Sequence, residues 1–253
     1  MSWHVDTTGS GPDLVLLHGW ALHSGVWAEV LPALAARWRV HAIDLPGHGH
    51  SARVQAGTFD AATDRLATLV PEGSTVCGWS LGGLVAQHLA RRHPARVARL
   101  ALVSTTPSFA SRPGWPHGMK AATLQTFTEG LEHNRDTMLR RFVALNAMHG
   151  PQGRDAVRVF TARLSERGPP SDRDLAVTLG WLRDVDLREQ TKGLALPTAI
   201  VHGGRDMVVP IGAARWFRQH LPNATLHEFP QAAHMPFYSH HAEFVAALEA
   251  LLG

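Results

Sequence analysis

The sequence predicts an α/β fold: a mostly parallel central sheet with helices on both faces and a helical cap inserted near the middle. Three observations lead there. Residues 14–17, 75–77, 100–103 and 198–201 are short runs of apolar or β-branched residues without polar alternation, as in strands buried on both faces. Segments with helical spacing separate most of them, which calls for parallel strands joined by crossovers. Between residues 109 and 184 the rhythm changes to helical periodicity with no convincing strand, and strand–helix alternation resumes afterwards. Residues 1–108 and 185–253 therefore read as one core, and 109–184 as a lid inserted into it.

The elements follow in order. Residues 3–7 read as an edge strand, ended by the turn Thr8-Gly9-Ser10-Gly11-Pro12. Leu14-Val15-Leu16-Leu17 is the first buried strand and runs out at His18-Gly19-Trp20. Residues 26–37 carry helical spacing. Val40-His41-Ala42-Ile43 is the next strand, closed by the turn-rich loop Asp44-Leu45-Pro46-Gly47-His48-Gly49-His50-Ser51. The glycines of that loop read as close-packing positions beside the early loop. A helix is expected over 58–70, a strand over 75–77 and a helix over 84–90, which stops at Arg92-His93-Pro94. After the strand at 100–103 and the helical block come a strand at 198–201, a helix at 211–220, a strand at 225–229 and a helix at 242–252.

Composition excludes several classes. With 253 residues, 45% hydrophobic and 18% charged, the chain suits one sizeable soluble core with an insertion. No apolar run approaches the ~18 residues of a membrane span, and the first residues lack the basic start and apolar centre of a signal peptide. The single cysteine, Cys77, leaves no internal disulfide and sits in a buried strand as an inert core residue. A cytoplasmic monomer is expected. Net charge is +3 with no basic run, so no nucleic acid is expected as a partner. The seventeen histidines are scattered without ligand spacing, and His240-His241 reads as a surface pair at a helix start; no metal or organic cofactor is expected.

Gly78-Trp79-Ser80-Leu81-Gly82-Gly83 lies between a strand and a helix and has the form G-x-S-x-G. Glycines on either side of the serine let strand and helix approach without a Cβ clash, and the turn lifts the Ser80 hydroxyl clear of the sheet. An activated serine needs a base and a carboxylate to orient it. Asp206 lies in the loop after the strand at 198–201, and His234 in the loop after the strand at 225–229. In open α/β sheets such loops collect the reactive groups, and the order Ser80, Asp206, His234 is the α/β-hydrolase order. An oxyanion needs two N–H donors. Leu81 follows the serine, and Trp20 follows the first buried strand, so their amides are the expected pair. Trp20 and Trp79 are read as walls of an apolar acyl pocket or as two core tryptophans. These residues leave a general short-chain carboxylesterase and a carbon–carbon bond hydrolase open; a serine at position 80 excludes the aspartate nucleophile of dehalogenases and epoxide hydrolases.

The whole chain resembles the α/β-hydrolases with a helical cap. More narrowly, His18-Gly19-Trp20, Asp44-Leu45-Pro46-Gly47, Gly78-Trp79-Ser80-Leu81-Gly82-Gly83, Arg141-Phe142-Val143-Ala144-Leu145, Val185-Asp186-Leu187-Arg188 and Ala232-Ala233-His234-Met235-Pro236-Phe237 resemble the esterases that cleave pimeloyl-[acyl-carrier protein] methyl ester in biotin synthesis. The resemblance implies Ser80, Asp206 and His234 as catalytic residues. It implies Trp20 and Leu81 at the substrate carbonyl, and Phe142, Val143, Ala144, Leu145 and Asn146 along the acyl channel. It also implies an acyl carrier protein as partner, met by Arg141, Arg154 and Arg158. The cap's charge agrees: between His133 and Gly168 seven arginines face three acids, a balance that steers an acidic partner. Arg140 beside Arg141, the neutral Thr137 and the loop Met148-His149-Gly150-Pro151-Gln152-Gly153 depart from the family pattern.

Overall fold

A computed structural model describes residues 2–252. Seven strands form one sheet in the order β1-β3-β2-β4-β5-β6-β7. They are β1 (Val5–Thr8), β2 (Asp13–Leu17), β3 (Arg39–Ile43), β4 (Ser74–Trp79), β5 (Val97–Val103), β6 (Thr198–Gly203) and β7 (Ala224–Phe229). Only β1 runs antiparallel to its neighbour; every other pairing is parallel. The helices are α1 (Leu31–Ala35), α2 (Phe59–Ala67), α3 (Leu81–Arg92), α4 (Ala121–Ala147), α5 (Gly153–Glu166), α6 (Asp172–Asp184), α7 (Arg188–Lys192), α8 (Ile211–His220), α9 (Pro236–Ser239) and α10 (His241–Leu252). Among the described residues no helix is long and apolar enough to cross a membrane.

The period-2 pleat divides the apolar strands between two cores. Val15, Leu17, Val76, Leu100, Leu102 and Ile200 face one, with α2, α3, α8 and much of the cap. Leu14, Leu16, Cys77, Ala101, Val103, Ala199 and Val201 face the other, with α1, α9, α10 and one face of α5. Because both faces are covered, the strands carry no polar alternation.

Two helical expectations are revised. Residues 26–37 do not form one helix: a 3₁₀ turn at Ser24–Trp27 precedes the short α1, whose first turn contains Pro32. Proline has no N–H to continue a helix from upstream, so it marks a start. The cap is not helical from 109 either; α4 begins at Ala121. Pro113, Gly114, Pro116 and Gly118 break the preceding stretch, which folds back on itself through Ser111 N–H to Met119 O (2.9 Å) and is pinned by Trp115 Nε1–H to Ser108 O (2.8 Å).

The cap is tied to the core loop that follows β3. The Arg167 guanidinium reaches Asp44 at 3.2 Å, Asp6 at 2.9 Å and Ser24 Oγ at 2.9 Å. Asp174 accepts the Ala56 N–H at 2.8 Å, and Ser171 N–H donates to Gly47 O at 2.9 Å. Gly47 has φ +80° and lies against the Asp174 side chain, leaving no room for a Cβ. The loop's close packing thus serves the cap as well as the early loop.

Beneath it lie two buried histidines. His18 Nδ1–H donates to Gly19 O at 2.7 Å while Nε2 accepts the Leu45 N–H at 2.9 Å, so the ring is neutral and joins the two loops. Burial first, and the neighbouring His48 second, push the His18 pKa down to about 3; burial pushes His48 down to about 4. Unfolding returns both rings to an ordinary pKa of about 6.5, so below that pH the unfolded chain binds more protons than the folded one. Stability therefore falls as pH drops from about 6.5 towards 4. A fall in Tm of roughly 5–10 °C over that window is expected by calorimetry. His48→Asn, whose amide nitrogen can replace Nδ1 toward Pro46 O, should flatten it. A Tm independent of pH there would contradict the neutral assignment.

Candidate active site

Ser80 sits where β4 turns into α3, with φ 54° and ψ −116°. A positive φ is unfavourable for a residue with a Cβ and persists only where its surroundings enforce it. Here the Ser80 N–H donates to Val103 O at 3.0 Å. Its carbonyl accepts Gly83 N–H at 3.0 Å, Leu84 N–H at 3.2 Å and the Thr105 hydroxyl at 2.7 Å. A Cβ at Gly78 would overlap the Gly82 carbonyl, and one at Gly82 the Leu17 carbonyl. Strand, turn and helix meet backbone to backbone, which is why these two positions carry no side chain.

Asp206 and His234 follow β6 and β7 and are both buried. Asp206 Oδ1 accepts the N–H groups of Val208 (2.8 Å) and Val209 (2.9 Å), and Oδ2 accepts His234 Nδ1–H at 2.7 Å. Burial opposes ionisation of Asp206. The His234 and His202 rings and these donors outweigh it, holding the carboxyl below its ordinary pKa. With the proton on Nδ1, Nε2 carries the lone pair, and it is buried with no hydrogen-bond partner among the described residues. The His234 backbone is clamped on both sides: its N–H donates to Asn146 O at 3.1 Å, and its carbonyl accepts Trp79 Nε1–H at 2.8 Å. The Trp79 indole lies 5.5 Å from the His234 ring and is one residue from Ser80. The Ser80–His234 hydrogen bond itself is not formed in this structure; such bonds commonly tighten only with substrate bound. His202, which the sequence reading left without a role, has Nε2 at 2.9 Å from Val209 O and 3.4 Å from Asp206 Oδ2.

Two backbone amides, those of Leu81 and Trp20, are left without acceptors among the described residues. Leu81 is the first residue of α3, so its N–H has no acceptor within the helix. Trp20 follows β2, and its N–H meets no acceptor among the described residues. The next residue, Ala21, has φ 66°, so the loop turns sharply there. The Trp20 indole donates to Leu175 O of α6 at 3.1 Å, coupling this loop to the cap.

The apolar cleft at Ser80 is lined by Trp20, Phe109, Met119, Leu124, Phe127, Phe142, Leu179, Leu182 and Val208. Trp20 and Phe142 both line it. Trp79 does not line it. Its ring lies on the opposite side of the sheet with Phe237 (5.1 Å) and fills the space over Gly19. Strand parity explains this, since Trp79 shares a face with Cys77 and Val76 does not. Of the channel stretch only Phe142 reaches the cleft. Val143 packs in the other core, Leu145 is half-buried at the edge of the first, and Ala144 lines an outer groove. Asn146 offers its backbone to His234 instead. A helix presents one residue in three or four to a given side, so five consecutive positions cannot all line one channel. The lining residues that sequence reading missed are those of the cap loop, α4, α6 and Val208. Their apolar character was visible; the side of the helix facing Ser80 was not.

A family model for the α/β hydrolase fold matches residues 12–241. The chain belongs to the α/β hydrolases. Among curated relatives, pimeloyl-[acyl-carrier protein] methyl ester esterase of Chromobacterium violaceum is 45% identical over 248 residues, covering 98% of this chain and 97% of the relative. The enzyme of the same name from Nitrosomonas europaea is 43% identical and covers 99% of both chains. A solved bromoperoxidase from Bacillus anthracis superposes with a TM-score of 0.90 at 24% identity, covering 98% of this chain and 94% of its own. At that identity it speaks for the fold alone.

In this α/β hydrolase the three cap arginines singled out from the sequence are all exposed. Arg158 pairs with Asp155 at 2.7 Å, and Asp155 also accepts the Tyr238 hydroxyl. Arg140, Arg141 and Arg154 form no ion pair among the described residues, whereas Arg135, Arg163 and Arg167 do. The cap's uncommitted positive charge is therefore narrower than its composition implies. Among the described residues no three His, Cys, Asp or Glu side chains cluster as ligands for a metal ion.

Proposed function

We propose that this chain is a serine carboxylesterase that hydrolyses the methyl ester of a carrier-borne pimeloyl chain, releasing methanol and leaving the acid on its acyl carrier protein. The observation that carries the reading is the full-length similarity to esterases of that name, 45% identical over 98% of this chain. It is joined to a serine in a strained backbone conformation and a histidine oriented by a carboxylate. His234 Nε2 takes the Ser80 proton as Oγ attacks the ester carbonyl. The Trp20 and Leu81 N–H groups receive the developing oxyanion, each worth on the order of 3 kcal/mol in the transition state. Asp206 keeps the proton on Nδ1 and stabilises the imidazolium. His234 then protonates the departing methoxide, and water, activated by the same nitrogen, cleaves the acyl-enzyme.

The substrate class poses a selectivity problem. A carrier-borne chain also has a thioester, which is the more reactive acyl group. Discrimination must come from position: with the carrier held outside, the far methyl ester reaches Ser80 first and the thioester stays beyond reach. The deciding experiment follows methanol from methyl pimeloyl-carrier protein. Release supports the reading. Good turnover of short free esters without that release would instead indicate a general short-chain esterase.

Carrier docking on the cap has its own test. Charge reversal at Arg141 and Arg154 should raise KM for the carrier-borne ester by roughly tenfold, and more at low salt. Hydrolysis of p-nitrophenyl acetate should stay within about twofold. Equal losses on both substrates would count against docking there.

A further inference from the structure

The cleft at Ser80 is closed in this structure. Its free volume is only about 10 Å³, so no acyl chain enters without a side chain moving. Outside, a groove of about 480 Å³ runs along α4 and is lined by Phe127, Met138, Arg141 and polar residues including Thr126, Asn134 and Thr137. Phe127 is common to the two: one half-buried ring walls both the groove and the cleft. The groove of about 250 Å³ around Arg140 and Ser165, and that of about 490 Å³ around Ala144 and Val157, share no residue with the cleft.

From Phe127 an aromatic row leads inward. Its ring meets Phe142 edge-on at 5.8 Å, and Phe142 meets Trp20 edge-on at 5.0 Å. The wall is also weak at this point. Helix α4 is broken at Asn134 (φ −155°, ψ 79°), and the Asn134 side chain caps the second half through Thr137 N–H at 3.1 Å. Phe127 therefore belongs to a separate helical half. Across the break Gly130 has no side chain, and Met138 occupies the space a Cβ would need.

We propose that long acyl chains enter through this groove as Phe127 swings out of the wall, and that the tether joining a carrier-borne chain to its carrier lies in the groove. The first half concerns any long ester; the second rests on the function proposed above. The groove offers apolar surface at Phe127 and Met138 beside the hydroxyl and amide groups of Thr126, Asn134 and Thr137, with Glu129, His133 and Arg141 as its charged or titratable members; that mixture suits a chain that is apolar at one end and polar along its tether.

The lone cysteine makes a direct test possible. Cys77 is buried, and burial pushes its thiol pKa far up, so it stays unlabelled. Thr126→Cys, coupled to fluorescein maleimide, should lose about tenfold or more in kcat/KM for p-nitrophenyl octanoate, whereas Ser165→Cys coupled alike should change by less than about twofold. Phe127→Ala should raise the octanoate-to-acetate ratio of kcat/KM at least about threefold, a change in selectivity that general loosening would not produce. Unchanged octanoate turnover by labelled Thr126→Cys, or an unchanged ratio in Phe127→Ala, would overturn the entrance. Octanoate needs no carrier, so the entrance is decided even if the carrier-borne methyl ester proves not to be a substrate. Full turnover of that ester by labelled Thr126→Cys would remove the tether from the groove.

Discussion

Ser80→Ala is expected to lower kcat for ester hydrolysis by on the order of 10⁶ while leaving the fold intact. The size follows from the role: without Oγ there is no acyl-enzyme, and only the oxyanion donors and substrate binding remain. Retention of the fold follows from the contacts. The four hydrogen bonds that hold residue 80 at positive φ all use its backbone, through Val103 O, Gly83 N, Leu84 N and the Thr105 hydroxyl. Alanine keeps every one, so stability should move by less than about 1 kcal/mol. Circular dichroism and Tm check the fold, and a burst-phase assay with a p-nitrophenyl ester checks the chemistry. Turnover near that of the parent would remove Ser80 from the mechanism.

Asp206→Asn should lower kcat by about 10⁴, and the hydrogen bonds say why. Oδ1 already accepts two N–H groups, from Val208 and Val209, so an amide places its oxygen there. The NH₂ group then faces His234 Nδ1, which must accept rather than donate. The ring proton moves to Nε2, and the atom that should take the Ser80 proton no longer has a lone pair. The substitution is nearly isosteric, so the loop should hold, and a proton NMR spectrum should report the tautomer change directly. Asp206 itself is held below the ordinary carboxyl pKa of 3.8. Its contribution is present above that value and lost only as pH falls through the lower folded one, so an acid limb near neutral pH would not report this group. A variant with kcat within tenfold of the parent would show that the carboxylate is not orienting the base.

Much of the fold was legible because its strands are short and buried on both faces. Runs such as Leu14-Val15-Leu16-Leu17 and Leu100-Ala101-Leu102-Val103 have few other ways to be satisfied. The placement of Ser80, Asp206 and His234 was legible for a related reason: each follows a strand, and a parallel sheet brings the loops at the C-terminal ends of its strands to one side. The failures share a cause. The stretch from Phe142 to Asn146 was read as a continuous lining, but helical geometry sends its members to different sides. Trp79 stood next to the nucleophile in sequence, yet the pleat turned it to the other face. The seven cap arginines add up to one block of positive charge in the sequence, although Arg167 is used up in latching the cap to Asp44 and Asp6.

By itself, then, the chain's order of residues determined the sheet, the helical stretch between β5 and β6, and the three loops that carry Ser80, Asp206 and His234. Those features depend on local periodicity and on connectivity, which a linear string records. Tertiary structure alone decided that His234 is clamped between Asn146 and Trp79, that Phe127 separates an outer groove from a closed cleft, and which arginines remain unpaired. These depend on how the cap lies across the sheet. That is a matter of packing between residues up to 161 positions apart, as in the Arg167–Asp6 pair, and no local pattern encodes it.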